Sequence, residues 1–244
     1  MGKIEFDGGH NSMKDRKRYN QIAIIISFIA LLLLVCYSLY SKWQKEKNIF
    51  VYEEHLNDIV VTVGEQPVTL REFGYYIAKM EKDVQEKALI YNPNDPMEYW
   101  NVHFSAGLDS GYMFEYAWNY AMADCICDLI FVQKAQDEGY NLSENGYKQA
   151  KIQAEELYTI LSTEQIEKTG LTIDLIKMIE ERRLLVQSYT NSFMEENELS
   201  GYVDNIMEYI SRNSSMVMES EVICNEDMKK NIRMGTITVN CMFE

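Results

Sequence analysis

The chain holds 244 residues, 38 acidic against 23 basic, for a formal net charge of −15. A surface that acidic repels phosphate backbones and argues against nucleic acid as a partner. There are only three histidines, no His-Glu-x-x-His spacing and no phosphate-binding glycine loop, which leaves little from which to build a metal hydrolase or a nucleotide enzyme.

Residues 21–40 form an apolar run without a charge, preceded by Lys14-Asp15-Arg16-Lys17-Arg18. At about 1.5 Å per helical residue, such a run spans roughly 30 Å, the thickness of a bilayer's hydrocarbon core. The expectation is a single transmembrane helix with residues 1–20 in the cytoplasm and everything after residue 40 outside. Tyr37, Tyr40 and Trp43 suit the outer interface. A cleaved signal peptide is the rival, but the run exceeds the roughly 7–15 residues of a signal h-region, and Val35-Cys36-Tyr37-Ser38 offers no small-x-small cleavage site. The tail contributes a net positive charge, so the exterior part carries −17.

Residues 41–58 are polar and read as a stalk. Ile59-Val60-Val61-Thr62-Val63 is a β-branched strand. Gly64-Glu65-Gln66-Pro67 reads as a turn, with the proline stopping the strand. Thr69-Leu70-Arg71-Glu72 has the form of a capping box and opens a helix to about Tyr91, with Phe73, Tyr76, Ile77 and Met80 on one face. Asn92-Pro93-Asn94-Asp95-Pro96 breaks it, and Tyr99, Trp100 and Phe104 follow in a short segment.

A long helix is expected from about Ser110 to Gly139, with a stripe of Phe114, Trp118, Ala121, Cys125, Leu129 and Val132, widened by Tyr120, Ile126 and Ile130. Asp124 and Asp128, four apart on it, read as a solvated edge and not as cation ligands, for want of a third ligand. Ser143 caps the next helix, with Tyr147, Ile152, Leu157 and Ile160 as its apolar positions. Ser162-Thr163-Glu164-Gln165 is a second capping box. Thr172 caps a helix to about Met194, with Leu175, Ile176, Ile179, Leu185, Val186, Tyr189 and Phe193 as core candidates. On it, Arg182-Arg183 is expected to pair with Glu180 and Glu181 or to snorkel over the core. Residues 202–210 suggest a short helix and 216–233 are ambiguous. Residues 236–243 alternate and read as a terminal strand, paired with Ile59–Val63.

Cys36 lies in the anchor, leaving Cys125, Cys127, Cys224 and Cys241 outside. Cys125 and Cys127 point to different faces of a helix and do not bridge each other. They read as small buried apolar side chains, with a Cys125–Cys241 or Cys127–Cys224 bridge as the alternative that an exported compartment permits. Cys-Ile-Cys lacks the second ligand pair of a zinc site.

The run Val61-Thr62-Val63-Gly64-Glu65-Gln66-Pro67-Val68-Thr69-Leu70-Arg71-Glu72-Phe73 resembles the opening of the SurA/PrsA-type chaperone N-domain, a strand reading roughly V-N-G-x-x-I/V-T followed by a helix. Val63 stands where that family more often shows asparagine. Gln133-Lys134-Ala135-Gln136-Asp137-Glu138-Gly139-Tyr140-Asn141-Leu142-Ser143-Glu144 resembles the family's junction between successive helices, and residues 162–179 fit its third stage. The resemblance covers about residues 59–193. It implies a helical cradle for unfolded exported polypeptides, with a C-terminal segment folding back. Many members also carry a parvulin prolyl isomerase domain with paired histidines. His55 and His103 do not match that pattern, so no isomerase activity is expected.

The fold expected is therefore mainly α: a tail at 1–20, a transmembrane anchor at 21–40, a stalk at 41–58, a SurA/PrsA-like helical domain at 59–195 and a C-terminal segment at 196–244 packing back on it, with a small two-stranded sheet. The function expected is a membrane-anchored extracytoplasmic holdase for unfolded or exported polypeptides, with a dedicated envelope adaptor as the alternative. Its partners are those polypeptides and, through one helix, the lipid bilayer. No catalytic residue, cofactor or metal ligand is assigned. The 14 methionines and 17 tyrosines suit an adaptable binding surface but equally fill cores, so no peptide-contact residue is singled out.

Overall fold

Strand β1, Ile59–Val63, is the middle of a three-stranded antiparallel sheet in this computed structural model, which describes residues 34, 50–106, 109–196 and 221–239. The domain proper is Val51–Glu244, one of two units into which the chain divides after Phe50. The expected anchor at 21–40 (Leu34, which is helical, excepted), the aromatic residues Tyr37, Tyr40 and Trp43 and the helix expected at 202–210 lie outside the described residues. Among the described residues, no helix is long and apolar enough to cross a membrane. The folded unit begins inside the expected stalk: a 3-10 turn, Tyr52–His55, buries Tyr52, whose hydroxyl donates to the Leu70 carbonyl at 3.2 Å.

The sheet corrects two sequence expectations. Gly64, at φ +58°, turns the chain into a second strand, β2 (Gln66–Thr69), so Pro67 lies within a strand and not a turn. It is tolerated there because β2 is an edge, where a missing N–H breaks no ladder. The third strand is β5, Val222–Cys224, with Val61 opposite Cys224 and Val63 opposite Val222. Residues 236–239, expected to pair with β1, are not a strand, because their N–H groups are directed to a buried carboxylate instead; 240–243 lie outside the described residues.

Helix α1, Leu70–Tyr91, starts where Thr69 Oγ1 accepts the Glu72 N–H at 3.3 Å. The capping box is half made, since the Glu72 carboxylate pairs with Arg182 at 2.7 Å instead of returning to the backbone. The short α2, Met97–Trp100, and a hairpin of β3 (His103–Ala106) with β4 (Asp109–Tyr112) precede α3, Met113–Asp137. The hairpin takes the residues up to Tyr112, which is why α3 starts later than Ser110. Its stripe buries Trp118, Ala121, Cys125, Leu129 and Val132, whereas Tyr120 is exposed.

Helix α4, Glu144–Ile160, is capped by Ser143, which accepts the Gly146 N–H at 3.1 Å. Its buried face is Gly146, Ala150, Ala154 and Leu157, while Tyr147, Ile152 and Ile160 are exposed, contrary to expectation. α4 packs along α6, Ile173–Glu196, and small side chains let two helix backbones approach closely. Between them, α5 (Thr163–Thr169) carries the full reciprocal box of Ser162 and Gln165.

α6 is the spine. Ile176, Ile179, Leu185, Val186 and Tyr189 are buried on it, and the last three pack with Cys127, Phe131, Val132 and Ala135 of α3. Each large apolar side chain so buried contributes about 1.5–3 kcal/mol. Phe193 falls outside the side chains described. Helix α7, Glu226–Asn231, follows β5 under an Asn225 cap. Cys125 is a buried free thiol, as expected, and Cys224 is an exposed one, so neither of the alternative disulfides forms.

Candidate functional site

Three- and four-residue spacing puts Ala78, Lys82, Gln85 and Leu89 on one face of α1, and Gln153, Leu157 and Ile160 on one face of α4. The two faces enclose a trough made of two adjoining cavities that share Lys82, Leu157 and Ile160. The larger, of about 490 Å³, has a mixed lining in which Lys79, Asp83, Gln153, Glu156 and Glu180 join the shared residues. The smaller, of about 260 Å³, is mostly apolar, with Ala78, Leu89 and Leu161 beside Gln85, Glu86, Gln165 and Thr238.

One wall of the smaller cavity is set by the C-terminal segment. Glu81 is wholly buried, and its carboxylate accepts the N–H groups of Gly235 (2.5 Å), Thr236 (3.2 Å), Ile237 (3.2 Å) and Thr238 (2.5 Å). The Gln165 side-chain amide donates to the Thr238 carbonyl, and Lys168 to the Thr236 carbonyl at 2.9 Å. Gly235, at φ +86°, passes so near Trp100 that a Cβ there would lie 2.6 Å from the ring. Burial outweighs these donors and raises the Glu81 carboxyl above the usual range.

Beside the larger cavity lies a paired ionic network between α1, α3 and α6. The Tyr75 hydroxyl donates to Glu180 at 2.7 Å and Tyr76 to Asp128 at 2.9 Å. Arg183 meets Asp128 at 3.3 Å, Arg182 meets Glu72 at 2.7 Å, and Lys79 lies 3.8 Å from Glu180. Arg182 and Arg183 thus reach across to other helices and not to Glu181. Asp128 is not the solvated edge expected of it: burial raises its carboxyl and, to a lesser depth, that of Asp124. Burial also lowers the Lys79 ammonium and raises the Tyr75 and Tyr76 phenols well above their ordinary value, which keeps both hydroxyls as donors to Glu180 and Asp128.

His55 and His103 lie on separate elements. His55 pairs with Asp58 at 2.7 Å, and His103 Nε2 lies 3.2 Å from Ser110 Oγ across the hairpin, with no carboxylate among the described residues bonded to its other nitrogen. That pair lacks the orienting acid of a triad. Among the described residues, no group of three His, Cys, Asp or Glu side chains is placed to hold a metal ion.

The trough residues were not singled out by sequence as a site. The available signal was the interleaving of Ala78 and Leu89 with Lys79, Lys82, Asp83 and Glu86, a charged border along an apolar line, together with the exposed Ile160. No family model, curated protein or solved structure matches the chain.

Proposed function

We propose that the protein is a membrane-anchored extracytoplasmic polypeptide-binding protein of the chaperone type, a holdase that does not isomerise prolyl bonds. The observation that carries this reading is the trough between α1 and α4, an apolar floor continued by a charged channel with rims of both signs. Extended polypeptide needs that combination: apolar surface for side chains, and polar groups for the main chain between them. The resemblance of residues 59–193 to the SurA/PrsA-type N-domain points the same way. The uncharged run at 21–40 behind its basic flank supports a single span with the domain outside the cell membrane.

The test is aggregation suppression by the full chain in lipid nanodiscs, titrated against several unrelated unfolded clients. Suppression near stoichiometry that is lost in an Ile160→Asp variant supports the reading; no suppression by folded protein removes it. One observation favours the second reading, a dedicated envelope adaptor. The apolar part is compact, about 260 Å³, and is ringed by Lys82, Gln85, Glu86 and Gln165, as expected of a site for one partner. Crosslinking in intact cells to one dominant protein, without client suppression, would establish it.

A further inference from the structure

Residues 233–239 are held by the domain as a bound peptide is held by a receptor. They form neither helix nor strand, and their main chain is met by side chains of other elements. Five donors, the N–H groups of Gly235, Thr236, Ile237 and Thr238 and the Thr238 hydroxyl, all end on the Glu81 carboxylate of α1. From α5, Lys168 donates to the Thr236 carbonyl and Gln165 to the Thr238 carbonyl. Met234, Ile237 and Val239 are buried, and Gly235 crosses the Trp100 ring where an added Cβ would lie 2.6 Å away. Arg233, which is exposed, pins the start of the segment 4.5 Å over the Phe114 ring and bonds to Asn101.

Main-chain N–H and carbonyl groups are common to all polypeptides. A site that grips them with side chains therefore accepts an extended segment of another chain by the same bonds. What it asks of the sequence is little: a glycine over Trp100, with apolar side chains one before it and two and four after it. Glu81 is wholly buried with the segment in place, so the site opens only when the segment leaves. Thr238 also lines the smaller cavity, so that withdrawal joins the trough to Glu81.

We infer that the cleft of Glu81, Gln165, Lys168 and Trp100 is a polypeptide-binding site whose resident occupant is the chain's own segment 233–239, and that a client binds there by displacing that segment. The inference rests on the polypeptide-binding reading and gives it both a ligand and a brake. The ligand is an extended stretch of the pattern apolar-Gly-x-apolar-x-apolar, as in Met234 to Val239. The brake is competition: the apparent affinity for a client is reduced by the fraction of molecules whose cleft is vacant.

The experiment measures, by fluorescence anisotropy, binding of a labelled peptide of sequence Ile232 to Val239 to the full chain in nanodiscs. One substitution should act in opposite directions in the resident segment and in the peptide. Gly235→Ala in the chain loosens the resident against Trp100 and should tighten peptide binding at least about tenfold, by raising the vacant fraction. Alanine in place of the peptide's own glycine should weaken its binding to that variant by at least about tenfold, through the same overpacking against Trp100. Arg233→Ala changes an exposed position, leaves the fold intact and should tighten binding of the glycine peptide about threefold, through loss of the contact with Phe114. Equal binding of the glycine peptide by the unaltered chain and both variants, or equal binding of the two peptides, overturns the inference. A concentration-dependent dimer of the unaltered chain that the peptide dissolves, seen by sedimentation in detergent, also overturns it, because the cleft then serves a second copy. Saturating glycine peptide should cancel aggregation suppression by Gly235→Ala. Suppression that persists with the peptide bound leaves the holdase reading standing and this site excluded; if no form of the chain suppresses aggregation, both fall.

Discussion

Thr238 donates both its N–H and its hydroxyl to the same oxygen of Glu81, each at 2.5 Å, across 157 positions of sequence. With the N–H groups of Gly235 to Ile237 on the other oxygen, one carboxylate holds the whole turn of the C-terminal segment. Glu81→Ala leaves these donors buried without an acceptor. It should lower stability by about 3–5 kcal/mol, as for other broken buried networks. Urea titration of the full chain in detergent measures it, and a loss below about 1 kcal/mol would show that something else retains the segment.

Two glycines with similar backbone should respond differently to alanine. At Gly64, with φ +58°, an added methyl group would have nothing within 4 Å of it, whereas at Gly235 the methyl would meet the Trp100 ring at 2.6 Å. Gly64→Ala should cost about 1–2 kcal/mol, the left-handed backbone penalty alone. Gly235→Ala should add about 1–3 kcal/mol of overpacking. Equal losses in paired denaturation curves would mean that Trp100 can move aside.

The pH response follows from burial. Glu81, Asp124 and Asp128 all have carboxyls raised above the ordinary range by burial. From about pH 4 upward the unfolded chain releases these protons first, so the folded state holds more of them. Stability is then greatest near the unfolded carboxylate range and falls as pH climbs through the raised folded values. Relief of net negative charge on acidification acts in the same direction. The urea midpoint at pH 5.5 should exceed that at pH 7.5; the reverse order would mean that the hydrogen bonds to these carboxylates outweigh burial.

The fold was legible wherever a signal was local. Thr69, Ser143, Ser162 and Thr172 cap the helices expected of them, because a cap needs only its own next turn. Pairings across the chain were not legible. Glu72 chose Arg182 over its own backbone, and Asp128 reads as exposed until Tyr76 and Arg183 close over it. The buried face of α4 was hidden because Ala150 and Ala154 are weakly apolar, yet they are what close helix contact requires. Residues 236–239 alternate like a strand, but the alternation says nothing of where the N–H groups go, and Thr238 is buried along with Ile237 and Val239.

The Asp128–Arg183 pair couples α3 to α6 at 3.3 Å, with Tyr76 as a second donor to Asp128. Asp128→Ala and Arg183→Met should each destabilise by about 3–5 kcal/mol, the first by leaving Arg183 and the Tyr76 hydroxyl without their acceptor and the second by leaving a buried carboxylate without its cation. The double variant should lose less than the sum, by about 0.5–3 kcal/mol. Simple additivity in the four-member cycle would deny the pair any mutual interaction.

Cysteine reactivity gives a map that needs no mutation. Cys224 is exposed on β5, whereas Cys125 is wholly buried and burial raises its thiol far above the ordinary value. Iodoacetamide at pH 8 should label Cys224 in the native chain and Cys125 only in urea, as read by peptide mass mapping. Rapid native labelling of Cys125 would place α3 elsewhere than in the core.

The central position of β1 has a consequence for biosynthesis. Its neighbour on one side, β2, is made at once, but the other, β5, is translated some 160 residues later, and the turn that satisfies Glu81 later still. Until then a nascent domain has both an open strand edge and an unmet carboxylate. Ribosomes that stop early therefore release chains already marked as incomplete, and a protease that attacks exposed edges can sort them from finished molecules.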